Sequence, residues 1–511
     1  MTTRKTKRKQ VYLLFFVELI ALVVVLLYPL GNEVLLSVRG NGKILGGPIL
    51  YSLPKDLAIE DISKIPPAEA VPILMYHGVI VGEQNIGANT SRENFIGQME
   101  MLKQKGYQTI SANEYYLFRQ GKFVLPSKPI IITFDDGRKD SFYTTDEVLK
   151  ELGFKATIFL ATIKADENEK DPFFLNWDQV REMQATGRWE IEAHGRRSHQ
   201  DIEIDEKGTI GTYLTSFIYT HGKGPETANE YEKRVEADYV NGISDIKKHL
   251  GRDPYFYAIP LNSYGDSAVS NNKNALAFNE DITKRYFKLA FVQAEKLNGK
   301  TLESFYNYHD SNPYRLKRLE VENMNPEDLF LALQHFSPTK PALIFPDTNG
   351  TKSFLLNTQL LYGKLSMGKE ITLSSDEGVP SARMIMGDRG WKNYTIKTRI
   401  KRETGRSASL YIYYTDENNY IALDWSEKSL SLIERRDEKE RKIASYYPLE
   451  RSGDVEVSIG VYNGRISVYF GGVTLAQKLP VRVSRGAAGF GVWDPAGARL
   501  TIKKIAITPY E

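Results

Sequence analysis

The stretch KPIIITFDDGRKDSF, residues 128–142, runs an apolar, β-branched segment into two adjacent carboxylates, Asp135 and Asp136, and then a glycine. PIIITF carries no charge, as expected of a strand buried on both faces of a parallel sheet. Outward from it, short apolar runs alternate with helical patterns. The runs are VPILMY from 71, KATIFLA from 155, WEIEAH from 189, YFYAIP from 255 and YFKLAFV from 286; the helical patterns include RENFIGQMEMLKQKG, TTDEVLKELG and NWDQVREMQATG. This alternation predicts βαβ units, enough of them for a parallel barrel. Gly153 and Gly187 are placed to stop two of the helices, and Asn176 to cap one. In barrel enzymes the site lies at the C-terminal edge of the strands, where Asp135 and Asp136 fall. Neighbours within a strand point to opposite faces, so both acids can serve one site only if the strand ends there, and Gly137 permits the turn. A lone Asp-Gly commonly makes only a turn or a helix cap. Two acids after so apolar a strand favour a site.

After about residue 340 the pattern changes. Alternating strands such as NYTIKTRIKR, SASLYIYYTD, DVEVSIGVYN and ARLTIKKIAI are separated by turns rich in Gly, Asn and Asp, which predicts an antiparallel sandwich over 345–511. Its aromatics, among them Tyr411, Tyr413, Tyr414, Tyr420, Trp425 and Trp493, offer flat faces for sugars, although many must be core. Alternation puts Tyr411 and Tyr413 on one face. At the other end, MTTRKTKRKQ precedes VYLLFFVELIALVVVLLYPL, about the 20 apolar residues of a membrane-spanning helix. Residues 1–10 then read as a cytoplasmic basic tail, 11–31 as an uncleaved anchor, 32–70 as a linker, and everything beyond as extracytoplasmic.

The 511-residue chain has a net charge of +3 with dispersed basic residues, which argues against nucleic acid as a partner. It has no cysteine, which excludes disulfides, thiol catalysis and thiolate-bound zinc. Metal ligands must then come from the seven histidines and the acids. Only AHGRRSHQ sets two histidines close, His194 and His199. On a helix they would stand about 140° apart, too far for one ion. A loop beginning at Gly195 can return His199 to the strand edge, and two imidazoles with one carboxylate leave coordination positions open.

VPILMYHGV, ITFDDGRKDSF, LNWDQVREMQATGRWEIEAHGRRSH and YRLKRLEVENMNPEDLFLAL, in this order, resemble the polysaccharide deacetylases with NodB homology, and within them the branch that de-N-acetylates biofilm poly-β-1,6-N-acetylglucosamine. The resemblance covers about residues 71–337 and implies a distorted (β/α) barrel. It implies that Asp136, His194 and His199 hold a divalent metal, zinc first with cobalt, nickel or iron as alternatives, and that Asp135 is the general base. Many relatives orient that base with an arginine-and-proline motif; YAIPLNSYGDS holds Pro260 but no arginine, which leaves the base's orientation open. A late histidine acts as acid in many relatives, and His309 is the nearest equivalent here. His77, Trp177 and Tyr264 are further candidates for lining the site. The C-terminal sandwich resembles concanavalin A-like jelly rolls in pattern, many of which bind glycans.

The expectation is therefore an extracytoplasmic, membrane-anchored, metal-dependent deacetylase of a poly-N-acetylglucosamine-like polysaccharide. Peptidoglycan N-acetylglucosamine is the alternative substrate, and O-deacetylation comes third. A surface glycan-binding scaffold without activity is the rival of another class.

Overall fold

The computed structural model describes residues 68–510 apart from 83–88, 168–172, 266–269, 295, 298–299, 302–303, 340, 347–357, 376–378, 438 and 448–452. The expected basic tail, membrane anchor and nearly all of the linker lie outside the described residues. Among the described residues no helix is long and apolar enough to cross a membrane.

The apolar runs form β1 (Ala70–Tyr76), β2 (Gln108–Thr109), β3 (Pro129–Phe134), β4 (Ala156–Leu160), β5 (Trp189–Ala193), β6 (Phe256–Ala258), β7 (Leu289–Gln293), β8 (Tyr306–Tyr308) and β9 (Leu316–Glu320). Seven of them close a parallel barrel in the order β1-β3-β4-β5-β6-β7-β9, with β9 returning to β1. β2 lies parallel beside β3, and β8 runs antiparallel against the start of β1. The strand residues pointing outward, such as Ile132, Phe134, Ile158 and Ile191, share one core with Met99, Val148, Val180 and Val235 of the surrounding helices. Burial of each such side chain contributes roughly 1.5–3 kcal/mol. The inward-pointing residues form a second core of Ile73, Ile131, Phe159, Phe291 and Leu316.

That inner core includes Ala112 and Tyr115 of helix α1 (Ala112–Arg119), packed with Val71, Phe256 and Leu289 from the first residues of their strands. The N-terminal mouth of the barrel is therefore closed by α1, which leaves the C-terminal mouth for a site. Ser111 and Glu114 cap α1 reciprocally, and Glu190, facing into the barrel, accepts from the Ala112 and Asn113 backbones. The sequence-predicted caps hold: Asn176 opens α2 (Trp177–Ala185) with a capping box to Gln179, and Gly153 and Gly187 lie in the left-handed region that ends their helices.

Among the described residues from Leu343 on, two antiparallel sheets of eight and seven strands pack over one shared core, including Ile396, Ile459 and Ile505 from one sheet and Leu410, Leu423 and Phe490 from the other. Tyr411 and Tyr413 do not share a face. The register of Ser407–Asp416 shifts after Tyr411, and Tyr413 takes a positive φ of 52°. Tyr413 therefore turns into the inter-sheet core, whereas Tyr411 joins Tyr414 and Leu361 on the opposite face. A bulge adds a residue to one strand and breaks the period of two.

The sandwich is docked on the barrel through buried polar contacts. Tyr308 Oη donates to Asp388 Oδ1 at 2.8 Å, Arg485 lies over the Tyr308 ring at 4.3 Å, and Trp391 Nε1 donates to the Thr339 carbonyl at 2.8 Å.

Candidate active site

Tyr76 pairs with Phe134 at the ends of β1 and β3, so Asp135, the next residue, starts at the open mouth. Its amide still bonds the Tyr76 carbonyl at 3.0 Å, which keeps it in strand alternation and turns its side chain into the barrel. There Arg318, on β9 and 0 % exposed, grips it with both terminal nitrogens, Nη1 to Oδ1 at 2.7 Å and Nη2 to Oδ2 at 2.8 Å. Arg318 also donates to Thr133 Oγ1 at 3.2 Å. Burial pushes the Asp135 carboxyl up, but the Arg318 charge and the hydrogen bonds it donates outweigh it and leave the group below the usual carboxylate range.

Asp136 leaves the strand by adopting a left-handed backbone, φ 75°, followed by Gly137 at φ 81°. This is how neighbouring acids reach one site. His194 Nε2 stands 3.7 Å from Asp135 Oδ2 and 3.7 Å from Asp136 Oδ1, and His199 Nε2 stands 3.3 Å from Asp136 Oδ1. Burial raises Asp136, and the His199 hydrogen bond, first among the effects of the neighbouring imidazoles, more than reverses that, so it too lies well below its ordinary value. His194 follows β5, and its Nδ1 lies 2.7 Å from the Ala258 carbonyl. Nδ1 is therefore the protonated nitrogen and Nε2 keeps a free lone pair toward the acids. Burial lowers the His194 pKa to about 4, so the ring is neutral at physiological pH.

His199 reaches the cluster because the loop between the histidines is folded onto Asp238, a buried acid of α3 (Ala228–Leu250). Asp238 accepts from the Arg196 and Arg197 backbone amides at 3.0 and 2.5 Å and from the Ser198 hydroxyl. Gly195, φ 72°, is required here, since a Cβ would stand 2.2 Å from Ser198 Oγ. Asp238→Ala is expected to release three donors at once and weaken divalent-metal binding by about 10–100-fold while the barrel stays folded. Metal titration beside a far-ultraviolet spectrum checks it, and unchanged affinity would dissociate Asp238 from the site.

Ligand atoms of Asp136, His194 and His199 lie within 4.8 Å of one another, so these three residues can hold one metal ion. The donor set fits a divalent cation: two imidazoles, one ionised carboxylate, and a buried second nitrogen on His199 with no hydrogen-bond partner.

The other expected site residues divide. His77 follows β1 at the same mouth, its Nδ1 buried without a partner, close enough to influence both aspartates. Pro260 lies two residues beyond Ala258, in the turn at this edge. Trp177 is not at the site: as the first residue of a capped outer helix it packs under the ring of His249 at 4.3 Å and donates to Asp166. Tyr264 is drawn away beneath Arg315, whose guanidinium sits 5.0 Å above its ring. His309 is at the wrong end. It follows Tyr308, which pairs with Ala70 at the start of β1, and its ring meets Phe118 of α1.

Two residues escaped the sequence reading. Arg318 makes the arginine contact to Asp135 that YAIPLNSYGDS could not supply, and its signal was the alternation in RLKRLE, which puts Arg318 on the inward face with Leu316. Asp238 falls among Tyr231, Val235, Tyr239, Gly242 and Ile246, the buried stripe of its helix, where an acid needs a partner.

Residues 124–277, which hold both aspartates and both histidines, match the polysaccharide deacetylase family, and the chain carries a polysaccharide deacetylase domain. The poly-beta-1,6-N-acetyl-D-glucosamine N-deacetylase of Escherichia coli (strain K12) is 27% identical over 249 residues, covering 45% of this chain and 35% of that protein. Its counterpart in Staphylococcus aureus (strain MRSA252) is 28% identical over 113 residues, covering 22% of this chain and 38% of that protein. Each match thus spans little more than a third of the curated relative. A solved de-N-acetylase from Aggregatibacter actinomycetemcomitans superposes with a TM-score of 0.44 at 20% identity, covering 51% of this chain and 99% of that one.

Proposed function

We propose that the chain is a metal-dependent hydrolase that removes N-acetyl groups from N-acetylglucosamine units of an extracellular, poly-N-acetylglucosamine-like polysaccharide. The observation that carries this reading is a buried, arginine-held carboxylate, Asp135, set against a three-ligand cluster of Asp136, His194 and His199. A divalent ion bound there would polarise the acetyl carbonyl and acidify water. Asp135, kept ionised and fixed in direction by Arg318, takes the proton of the attacking water. His194 donates Nδ1–H to the Ala258 carbonyl, which keeps Nε2 facing the acids. His77 is assigned the proton given to the departing amine. The other histidines whose side chains are described are engaged elsewhere, His221 with Glu203, His249 with Trp177 and His309 with Phe118.

The same reading places the barrel outside the cytoplasmic membrane, carried by residues 11–31; a mature chain that begins beyond residue 31 would overturn the anchor.

Acetate release from β-1,6-linked poly-N-acetylglucosamine, β-1,4 chitin oligomers and peptidoglycan tests the assignment. The first is expected to lose acetate fastest, and Asp135→Asn to abolish release while metal content stays at the wild-type level. Preference for peptidoglycan would move the substrate to the alternative, and no acetate from any of them with metal bound would leave a binding scaffold.

A further inference from the structure

The barrel and the sandwich enclose a cleft of about 690 Å³, far from the aspartates. It is lined by Tyr308 and the β8–β9 turn at the N-terminal end of the barrel, and by loops of the sandwich around residues 415–419, 436–437 and 482–485. Tyr308 pairs with the first residue of β1, whereas Asp135 follows the strand paired with its last. Seven residues of strand, about 20 Å, lie between the two.

The walls are unbalanced in charge. Among the described residues that line the cleft, eight are arginine or lysine and four are acids. The acids are already engaged: Asp310 pairs with Arg485 at 2.5 Å, Asp437 with Arg436 at 3.6 Å, Glu417 with Arg383 outside the cleft, and Asp416 accepts from the backbone of Asn418. Glu280, just outside, faces Arg315 and Lys284. Arg482 and Arg119 make no ion pair among the described residues, and Arg482 and Lys284 are exposed. Two tyrosines set apolar faces among these cations: Tyr264 under Arg315 at 5.0 Å and Tyr314 under Lys284 at 5.9 Å.

A volume of this size holds a few sugar residues. A neutral N-acetylated chain would make no use of cations such as Arg119 and Arg482, and a de-N-acetylated chain, bearing amines, would be repelled by them. Guanidinium groups converging in a cleft match phosphate or carboxylate, and one sign of charge between low-dielectric walls concentrates the opposite sign. We infer that the cleft between barrel and sandwich binds an anionic glycan or polyol polymer, phosphate- or uronate-bearing, distinct from the chain that is deacetylated. Both domains contribute to the wall, so the Tyr308–Asp388 docking builds this second site. The inference stands independently of the chemistry at Asp135.

The test uses the full chain, as wild type and as the Lys284→Glu/Arg436→Glu/Arg482→Glu triple variant, with fluorescent oligomers of glycerol phosphate and of galacturonate. Both proteins carry the same N-terminal basic segment, so its contribution cancels. Wild type is expected to bind at least one probe at 20 mM salt and to lose it as salt rises to 300 mM. The triple variant should bind at least tenfold more weakly, with acetate release from neutral oligomers unchanged. A response to the phosphate probe alone or the uronate probe alone names the source of the anion. Should the triple variant fold poorly, Arg482→Ser alone is expected to weaken binding about threefold. Absence of wild-type binding at 20 mM salt, or equal affinity in the charge-reversed or serine variant, would overturn the inference.

Discussion

Arg318→Met is expected to lower the free energy of unfolding by about 3–5 kcal/mol and to abolish acetate release. The stability loss follows from burial. Asp135 and Arg318 have side chains 2 % and 1 % exposed, so removing the guanidinium leaves a nearly buried carboxylate without its counter-charge. The activity loss follows from geometry, because both oxygens of Asp135 are held by the two nitrogens that would be deleted. The second half of the test separates the two effects. Asp135→Leu combined with Arg318→Met replaces the whole pair by apolar groups, and should recover most of the stability while activity stays absent. Urea unfolding with acetate release checks this. An Arg318→Met midpoint close to wild type would show that the pair is not enclosed as described.

His199→Ala is the second large effect. With two ligands left of three, affinity for zinc or cobalt is expected to fall by more than the roughly 100-fold that loss of a supporting group causes. A cation that binds only the folded chain stabilises it by about 2.7 kcal/mol at 100 times its Kd, so wild type should melt higher with added metal and the variant should not. The apo proteins should melt alike, because the His199 side chain is 23 % exposed at the rim and its removal opens little space in the core. A chelator should make wild type behave like the variant, and added metal should reverse this in wild type alone. An undiminished metal-dependent shift in His199→Ala would remove it from the ligand set.

The barrel was legible because its signal is local: each apolar run and each helical period announces one element, and their alternation implies a parallel sheet. Asp135, Asp136, His194 and His199 were legible for a related reason, since each lies at or just beyond the end of such a run. Arg318 was not, because 183 residues separate it from Asp135 and only closure of β9 against β1 brings them together. The arginine that holds Asp135 sits on β9, not beside Pro260. Trp177, Tyr264 and His309 failed in another way: residue type suggests an affinity for sugars or protons, but not which end or layer of a barrel the chain will deliver it to. Tyr413 shows the limit of periodicity itself, since one bulge re-aims a side chain that counting by twos places elsewhere.

The left-handed backbone of Asp136 sets the interests of the fold and of the site against each other. An L-residue at φ 75° carries a penalty of order 1 kcal/mol that glycine would not. Glycine at this position would give a sturdier turn and an empty coordination corner. A change that strengthens the scaffold would therefore remove one of the three residues proposed to hold the metal.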